Sequence, residues 1–149
     1  MIRIATVGEI GSGKSYVAKL LGFPVFNADI QINKIYKNNY KCFLLLKKKL
    51  PKFIKSFPIN KKELSKAILN DNSNLKKISK IIHPLVRYKM NRFIKKNFKK
   101  KAIILDIPLY FENKINKKKD IVIYVYGKRS QILKRLKLRK DFNIKIYDR

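Results

Sequence analysis

The stretch "VGEIGSGKSY", Val7 to Tyr16, follows the apolar run "IRIAT" and decides how the rest of the chain is read. Gly8, Gly13, Lys14 and Ser15 satisfy G-x-x-x-x-G-K-[ST]. The motif lies between an expected strand, Ile2 to Val7, and an expected helix, about Lys14 to Leu21, which is the context it requires. Phosphate chemistry explains the spacing. Glycines let the backbone curl until successive N–H groups face one concavity, which holds the phosphates of ATP. Lys14 is expected to reach the β- and γ-phosphates, and the Ser15 hydroxyl to ligate Mg²⁺. Glu9 is out of place beside a polyanion. The cradle is built from backbone N–H groups, so a solvated carboxylate at that position can point outward, its charge screened over about 8 Å at physiological salt.

Working outward, Pro24 to Phe26 reads as a second short strand leading into Asn27-Ala28-Asp29. From Ile30 to Phe98 the pattern is mostly helical, with interruptions at Pro51, Pro58 and Asn70 to Asn74. Pro84 is placed at the start of the last of these helices, because its missing N–H costs nothing in a first turn. "AIILDIPL" (Ala102 to Leu109) and "IVIYVY" (Ile121 to Tyr126) look like buried strands, followed by a basic helix from roughly Ser130 to Lys140. Strands separated by helical stretches indicate an α/β domain with a parallel central sheet.

Composition bounds the rest. The chain has 149 residues, enough for one domain with a sizeable core, and 46% of them are hydrophobic. Net charge is +29, from lysines spread along the whole length. Asn, Ile and Tyr are abundant as well, the amino acids of A- and T-rich codons, so biased coding explains much of the excess. The functional reading is a surface that concentrates anions. Aromatic residues do not interleave with the lysine runs in a nucleic-acid motif, and no specific nucleic acid is expected as a partner. The single cysteine, Cys42 in "YKCFLLL", cannot form an internal disulfide; it reads as a buried thiol in a cytoplasmic protein. No apolar run approaches a membrane span, and a strand begins at once without a signal peptide. The chain is read as a monomer.

Beyond the loop, residues that bear on chemistry lie near strand ends. Asp29 sits past the second strand, at the carboxyl edge where ligands of α/β sheets bind. It can accept a proton from an attacking hydroxyl, or it can N-cap a helix starting at Ile30. In "LDIPLYFEN", Leu105 to Asn113, Asp106 falls where a Walker-B carboxylate would hold Mg²⁺, and Pro108 turns the chain outward. Glu112 is either a substrate-orienting group or a surface carboxylate. His83, in "IIHPLVRY", is either structural or part of the site. Arg129, Arg135 and Arg139 lie on the basic helix, where one of them contacts a transferring phosphoryl group or all are solvated.

Taken in order, "GEIGSGKSYVAKLLG", "PVFNADI", "IIHPLVR" and "LDIPLYFEN" resemble dephospho-coenzyme A kinases over essentially the whole chain. The resemblance implies a P-loop NTPase fold, a three-layer α/β/α core with a parallel sheet, a helical substrate-binding insertion and a lid. On that pattern the core covers about 1–29 and 101–130, the helical region about 30–98, and the start of the lid about 131–149. It implies transfer of the ATP γ-phosphate to the ribose 3′-hydroxyl of dephospho-coenzyme A, with Mg²⁺. Gly11, Ser12, Gly13, Lys14, Ser15 and Tyr16 match the ATP-binding segment, Asp29 the base and substrate-orienting aspartate, and Arg135 a lid arginine. His83 and Pro84 match an H-P pair on the substrate side, and Asp106 and Glu112 the carboxylates of the strand-end motif.

The chain departs from the pattern in three places. Asn27 replaces the first aspartate of D-A-D, and Glu9 replaces a loop glycine. The sequence stops at Arg149, inside the expected lid, where the family pattern continues with a further strand and residues around adenine. A truncated chain is expected to leave a sheet edge exposed. Two other readings fit the loop alone: another small-molecule P-loop kinase acting on nucleosides or nucleotides, or a basic ATP- or nucleic-acid-binding module without transferase activity.

Overall fold

A computed structural model describes residues 1–108 and 110–138. The elements in chain order are β1 (Ile2–Val7), α1 (Lys14–Leu20), β2 (Val25–Asn27), α2 (Ala28–Asn38), α3 (Tyr40–Lys49), α4 (Lys61–Asn70), α5 (Ser73–Lys96), β3 (Ala102–Asp106), β4 (Ile121–Tyr124) and α6 (Arg129–Lys137). They divide into two compact units, one holding 1–26 and the chain from Lys99 onward, the other 27–98. The division falls inside β2, so Asn27, Ala28 and Asp29 belong with the helices.

The first unit is built on a four-stranded parallel sheet of order β2-β3-β1-β4. β1 runs beside β3 with Ile2 opposite Ala102 and Thr6 opposite Asp106, so both strands end at the same level, directly beneath the glycine-rich loop. α1 covers one face. There Ala18 packs with Ile4, Ala102 and Ile104, and Leu21, Phe23 and Val25 close over them. Period-two alternation sends Arg3 and Ala5 to the other face. All five residues of β3 are buried, as a run of Ala, Ile, Ile, Leu and Asp in a central parallel strand should be.

β4 is different. The apolar run suggests burial, yet Ile121 is 49% and Tyr124 64% exposed. The reason is position: β4 is the edge of the sheet formed by the described residues, paired through β1 alone. Hydrophobicity marked it as a strand correctly but could not say which neighbours it would have.

The second unit is a four-helix assembly around Ile35, Phe43, Leu46, Ile54, Leu64, Ile78 and Ile82. Asparagines start three of its helices. Asn27 Oδ1 accepts from the Ile30 N–H, Asn39 Oδ1 from Cys42 N–H and Asn60 Oδ1 from Lys62 N–H, each at 2.9 Å. Each satisfies a donor that the first helical turn leaves open. Asp29 is therefore not the cap of α2. The helix begins two residues earlier than Ile30, and Asp29 is an exposed acid in its first turn.

Pro84 also lies elsewhere than expected, in the interior of α5. An interior proline removes one i→i−4 bond and is tolerated only when something else holds both flanks. Here Ile78 and Ile82 are buried before it and Met90 after it. The tertiary core overrides the local preference.

Cys42 is buried in this core, and desolvation pushes its thiol up to about 11. Tyr36 packs against the same core and is pushed up to about 12, by burial first and then by the charge of a Cys42 thiolate. Both folded pKa values lie above the unfolded ones, about 8.5 and 10. Between those values the unfolded chain has released protons that the folded chain retains, so stability falls as pH rises. Urea midpoints are expected to be level up to about pH 8 and to decline from about pH 9 upward. Midpoints that stay level to pH 11 would mean that the thiol and phenol are open to water. Among the described residues no helix is long and apolar enough to cross a membrane.

Candidate active site

The loop after β1 takes left-handed φ at Gly8, Gly11 and Gly13, and at the first two an added Cβ would also collide with the surroundings. Gly8 has φ +140°, and a Cβ there would stand 2.3 Å from the Val125 carbonyl oxygen. Gly11 has φ +83°, and a Cβ there would meet Leu136 Cγ at 2.9 Å and Ile132 Cγ2 at 3.1 Å. The loop is thus clamped from outside. The chain leaving β4 approaches it at Gly8, and the buried face of α6, Ile132 and Leu136, presses on it at Gly11. Inside the turn, the Ser12 N–H donates to the Glu9 carbonyl at 3.2 Å.

Side chains converge on this loop from four elements, α1, β1, β3 and α6. Lys14 at the start of α1 folds back, its Nζ donating to the carbonyls of Gly8 at 2.9 Å and Glu9 at 2.7 Å. The Ser15 hydroxyl donates to Asp106 Oδ2 at 2.6 Å, and Thr6 Oγ1 to Asp106 Oδ1 at 3.4 Å. The strand register makes this possible, since Thr6 and Asp106 are direct neighbours at the ends of β1 and β3. From α6, Arg135 Nη1 donates to the Ser12 carbonyl at 3.2 Å. The Ser12 side chain is 4% exposed and its hydroxyl has no hydrogen-bond partner among the described residues. Glu9 and Tyr16 are exposed, so the carboxylate at position 9 is solvated and does not fill the turn.

Gly8, Gly11, Ser12, Gly13, Lys14, Ser15, Asp106 and Arg135 therefore lie together in the first unit. Glu112 is an exposed residue between β3 and β4 in the same unit. Asp29, on α2, and His83, on the exposed side of α5, belong to the second unit. Arg139 and the end of the expected basic helix lie outside the described residues.

One polar cluster escaped the sequence reading. Arg3 Nη2 donates to the Tyr110 hydroxyl and to the Ile115 carbonyl, both at 3.1 Å, and its Nε pairs with Asp120 Oδ1 at 3.1 Å. Tyr110 donates to Asp120, whose Oδ2 also accepts from the Lys117 N–H. Desolvation, and then the Asp120 hydrogen bond, push the Tyr110 phenol up to about 12. The cluster ties the segment after β3 to the underside of β1. Its one signal was an arginine inside an otherwise apolar strand, "IRIATV".

A loop of this shape, with a lysine and a serine at its end and a strand-end carboxylate under the serine, has the pattern that phosphate-binding loops of nucleoside triphosphate sites share. Comparison with known proteins adds the family. The model for dephospho-CoA kinase matches residues 2–147. The chain belongs to the dephospho-CoA kinase family. It is 35% identical over 147 residues to a dephospho-CoA kinase of Bartonella quintana, across 95% of this chain and 75% of that one. Among solved structures, TT1252 from Thermus thermophilus superposes with a TM-score of 0.79 at 26% identity, covering 98% of this chain and 76% of that one. The dephospho-CoA kinase from Campylobacter jejuni superposes at 0.63, with the same identity and coverage. The chain spans 65% of one curated family member and 75% of another.

Proposed function

We propose that this chain transfers the γ-phosphoryl group of ATP to the ribose 3′-hydroxyl of dephospho-coenzyme A, yielding ADP and coenzyme A. Family membership supports the acceptor, and the contact of Ser15 with Asp106 at 2.6 Å beside Lys14 supports the transfer chemistry. In the reaction the 3′-oxygen forms a bond to the γ-phosphorus while the bond from that phosphorus to the bridging oxygen breaks. The 3′-hydroxyl proton goes to the Asp29 carboxylate, which is exposed and able to receive it. Lys14 exchanges the Gly8 and Glu9 carbonyls for phosphate oxygens, and Arg135 lies at the Ser12 carbonyl, on the wall of the same loop. Both cations then offset the charge that spreads over the phosphoryl oxygens.

Mg²⁺ fits the donors present. A hydroxyl and one carboxylate, both hard oxygen ligands, stand within one coordination sphere of each other. That is the sparse protein contribution typical of magnesium shared with substrate phosphates. We assign Ser15 and Asp106 as its protein ligands, and when bound it neutralises phosphate charge. His83 and Glu112 are assigned to acceptor binding on the strength of their match to the family pattern.

The test is incubation with Mg-ATP and dephospho-coenzyme A, with coenzyme A detected by mass. A gain of one phosphoryl group, abolished by Lys14→Ala, is the expected result. Phosphorylation of nucleosides with none of dephospho-coenzyme A would replace the acceptor assignment.

A further inference from the structure

Arg3 is an odd residue for an apolar strand, and its contacts all lie on one distant segment. Its Nη2 donates to the Tyr110 hydroxyl and to the Ile115 carbonyl, both at 3.1 Å, and its Nε forms an ion pair with Asp120 Oδ1 at 3.1 Å. Tyr110 and Ile115 are the two feet of a turn. The Ile115 N–H donates to the Tyr110 carbonyl at 3.5 Å, and inside the turn the Lys114 N–H donates to the Phe111 carbonyl at 2.9 Å. A single guanidinium therefore grips both feet. Asp120 grips the same segment again, accepting from the Tyr110 hydroxyl and the Lys117 N–H. Within the turn Lys114 takes φ +52°, left-handed backbone at a residue other than glycine. Such a conformation persists where the surroundings hold the chain around it. Arg3, Tyr110 and the Asp120 side chain are all buried. A buried ion pair contributes little over apolar residues of the same volume, so stability alone is weak ground for its presence.

We propose that Arg3, Tyr110 and Asp120 are positioning residues, a clasp that fixes the turn carrying Phe111 and Glu112 and so sets where the Glu112 carboxylate stands. The inference rests on the assignment of Glu112 to acceptor binding made above. The segment is anchored at one end by Asp106, the last residue of β3, and at the other by Asp120, the residue before β4. Between these anchors Phe111 and Glu112 are exposed, and the Phe111 ring packs edge-on against Tyr110 with centroids 5.7 Å apart. Tyr110 thus holds the turn through both its hydroxyl and its ring. A carboxylate on a turn already fixed needs little further ordering when a ligand arrives, and that saving appears as affinity. Loss of the clasp therefore acts on acceptor binding and leaves the ATP loop alone.

Tyr110→Phe removes one oxygen and leaves the rest joined, since Arg3 keeps Ile115 and Asp120, and Asp120 keeps the Lys117 N–H. In the free full chain, amide exchange over 110–120 should quicken about tenfold or more, the loss of a hydrogen bond to a charged group, while exchange in β3 stays level. In turnover, KM for dephospho-coenzyme A should rise about threefold or more with KM for ATP level. The same substitution is then made in Glu112→Gln, where it should add nothing to KM, because the group it acts through is gone. Arg3→Lys is the second variant. It keeps the ion pair but lacks the fork that reaches both feet, and it should reproduce the faster exchange and the raised KM. Unchanged exchange over 110–120 in both variants overturns the clasp. A level KM for dephospho-coenzyme A despite faster exchange, or a rise equally large in the Glu112→Gln background, overturns the action through Glu112. If the wild type phosphorylates nucleosides and no dephospho-coenzyme A, the acceptor reading falls, and the exchange result still decides the clasp.

Discussion

Lys14→Ala is expected to lower kcat by about 10²–10³, the usual loss when one preorganised donor to a developing charge is removed. Fold stability should change little. The two bonds that Lys14 makes run to loop carbonyls, one of them exposed, and each such bond contributes only about 0.5–1.5 kcal/mol net. The diagnostic feature is therefore a loss of turnover with an unchanged urea midpoint. Lys14→Arg should not restore the rate, because a planar guanidinium cannot reproduce the compact ammonium inside a turn pressed by the Val125 carbonyl and Leu136. Measurement of coenzyme A formation beside denaturant titration checks both halves. Full activity in Lys14→Ala would remove the loop from catalysis.

Asp29→Asn should reduce kcat by about 10²–10⁴, the range for loss of a general base, with little effect on KM for ATP. The substitution is nearly isosteric, and the cap of α2 is Asn27, so the helix start survives. The substitution also removes one charge from a first turn, worth about 0.3–1 kcal/mol. A variant within twofold of the wild type would reduce Asp29 to that helix-stabilising role and move the base elsewhere.

The positions of Asp29 and Asn27 show what a sequence can and cannot reveal. Glycine spacing and the strand-loop-helix context located the phosphate loop, because backbone curvature there leaves few residue types possible. The pairing of Thr6 with Asp106 follows from β1 and β3 being parallel and in register, and Ser15, at the start of α1, reaches the same carboxylate. Capping was harder. Asn and Asp serve equally well at a helix start, and local sequence could not say which of two residues two positions apart, Asn27 or Asp29, would do so. The interior place of Pro84 depends on burial of Ile82 and Met90, which is a tertiary fact. Arg3, Tyr110 and Asp120 are more than a hundred positions apart at their extremes, and nothing in their spacing joins them before the sheet forms.

The asparagines that open α2, α3 and α4 have one more consequence. An amide does not ionise, so these three cap bonds persist in acid. α5 begins differently, with the Asp71 carboxylate accepting from the Ser73 N–H at 2.8 Å and also from the Ser73 hydroxyl. Those bonds, the hydroxyl's first, hold the Asp71 carboxyl below the usual range. Their stabilisation is present above the unfolded value and fades as pH falls through the folded one. Acidification therefore releases the bonds at the head of α5 while the three amide caps keep theirs.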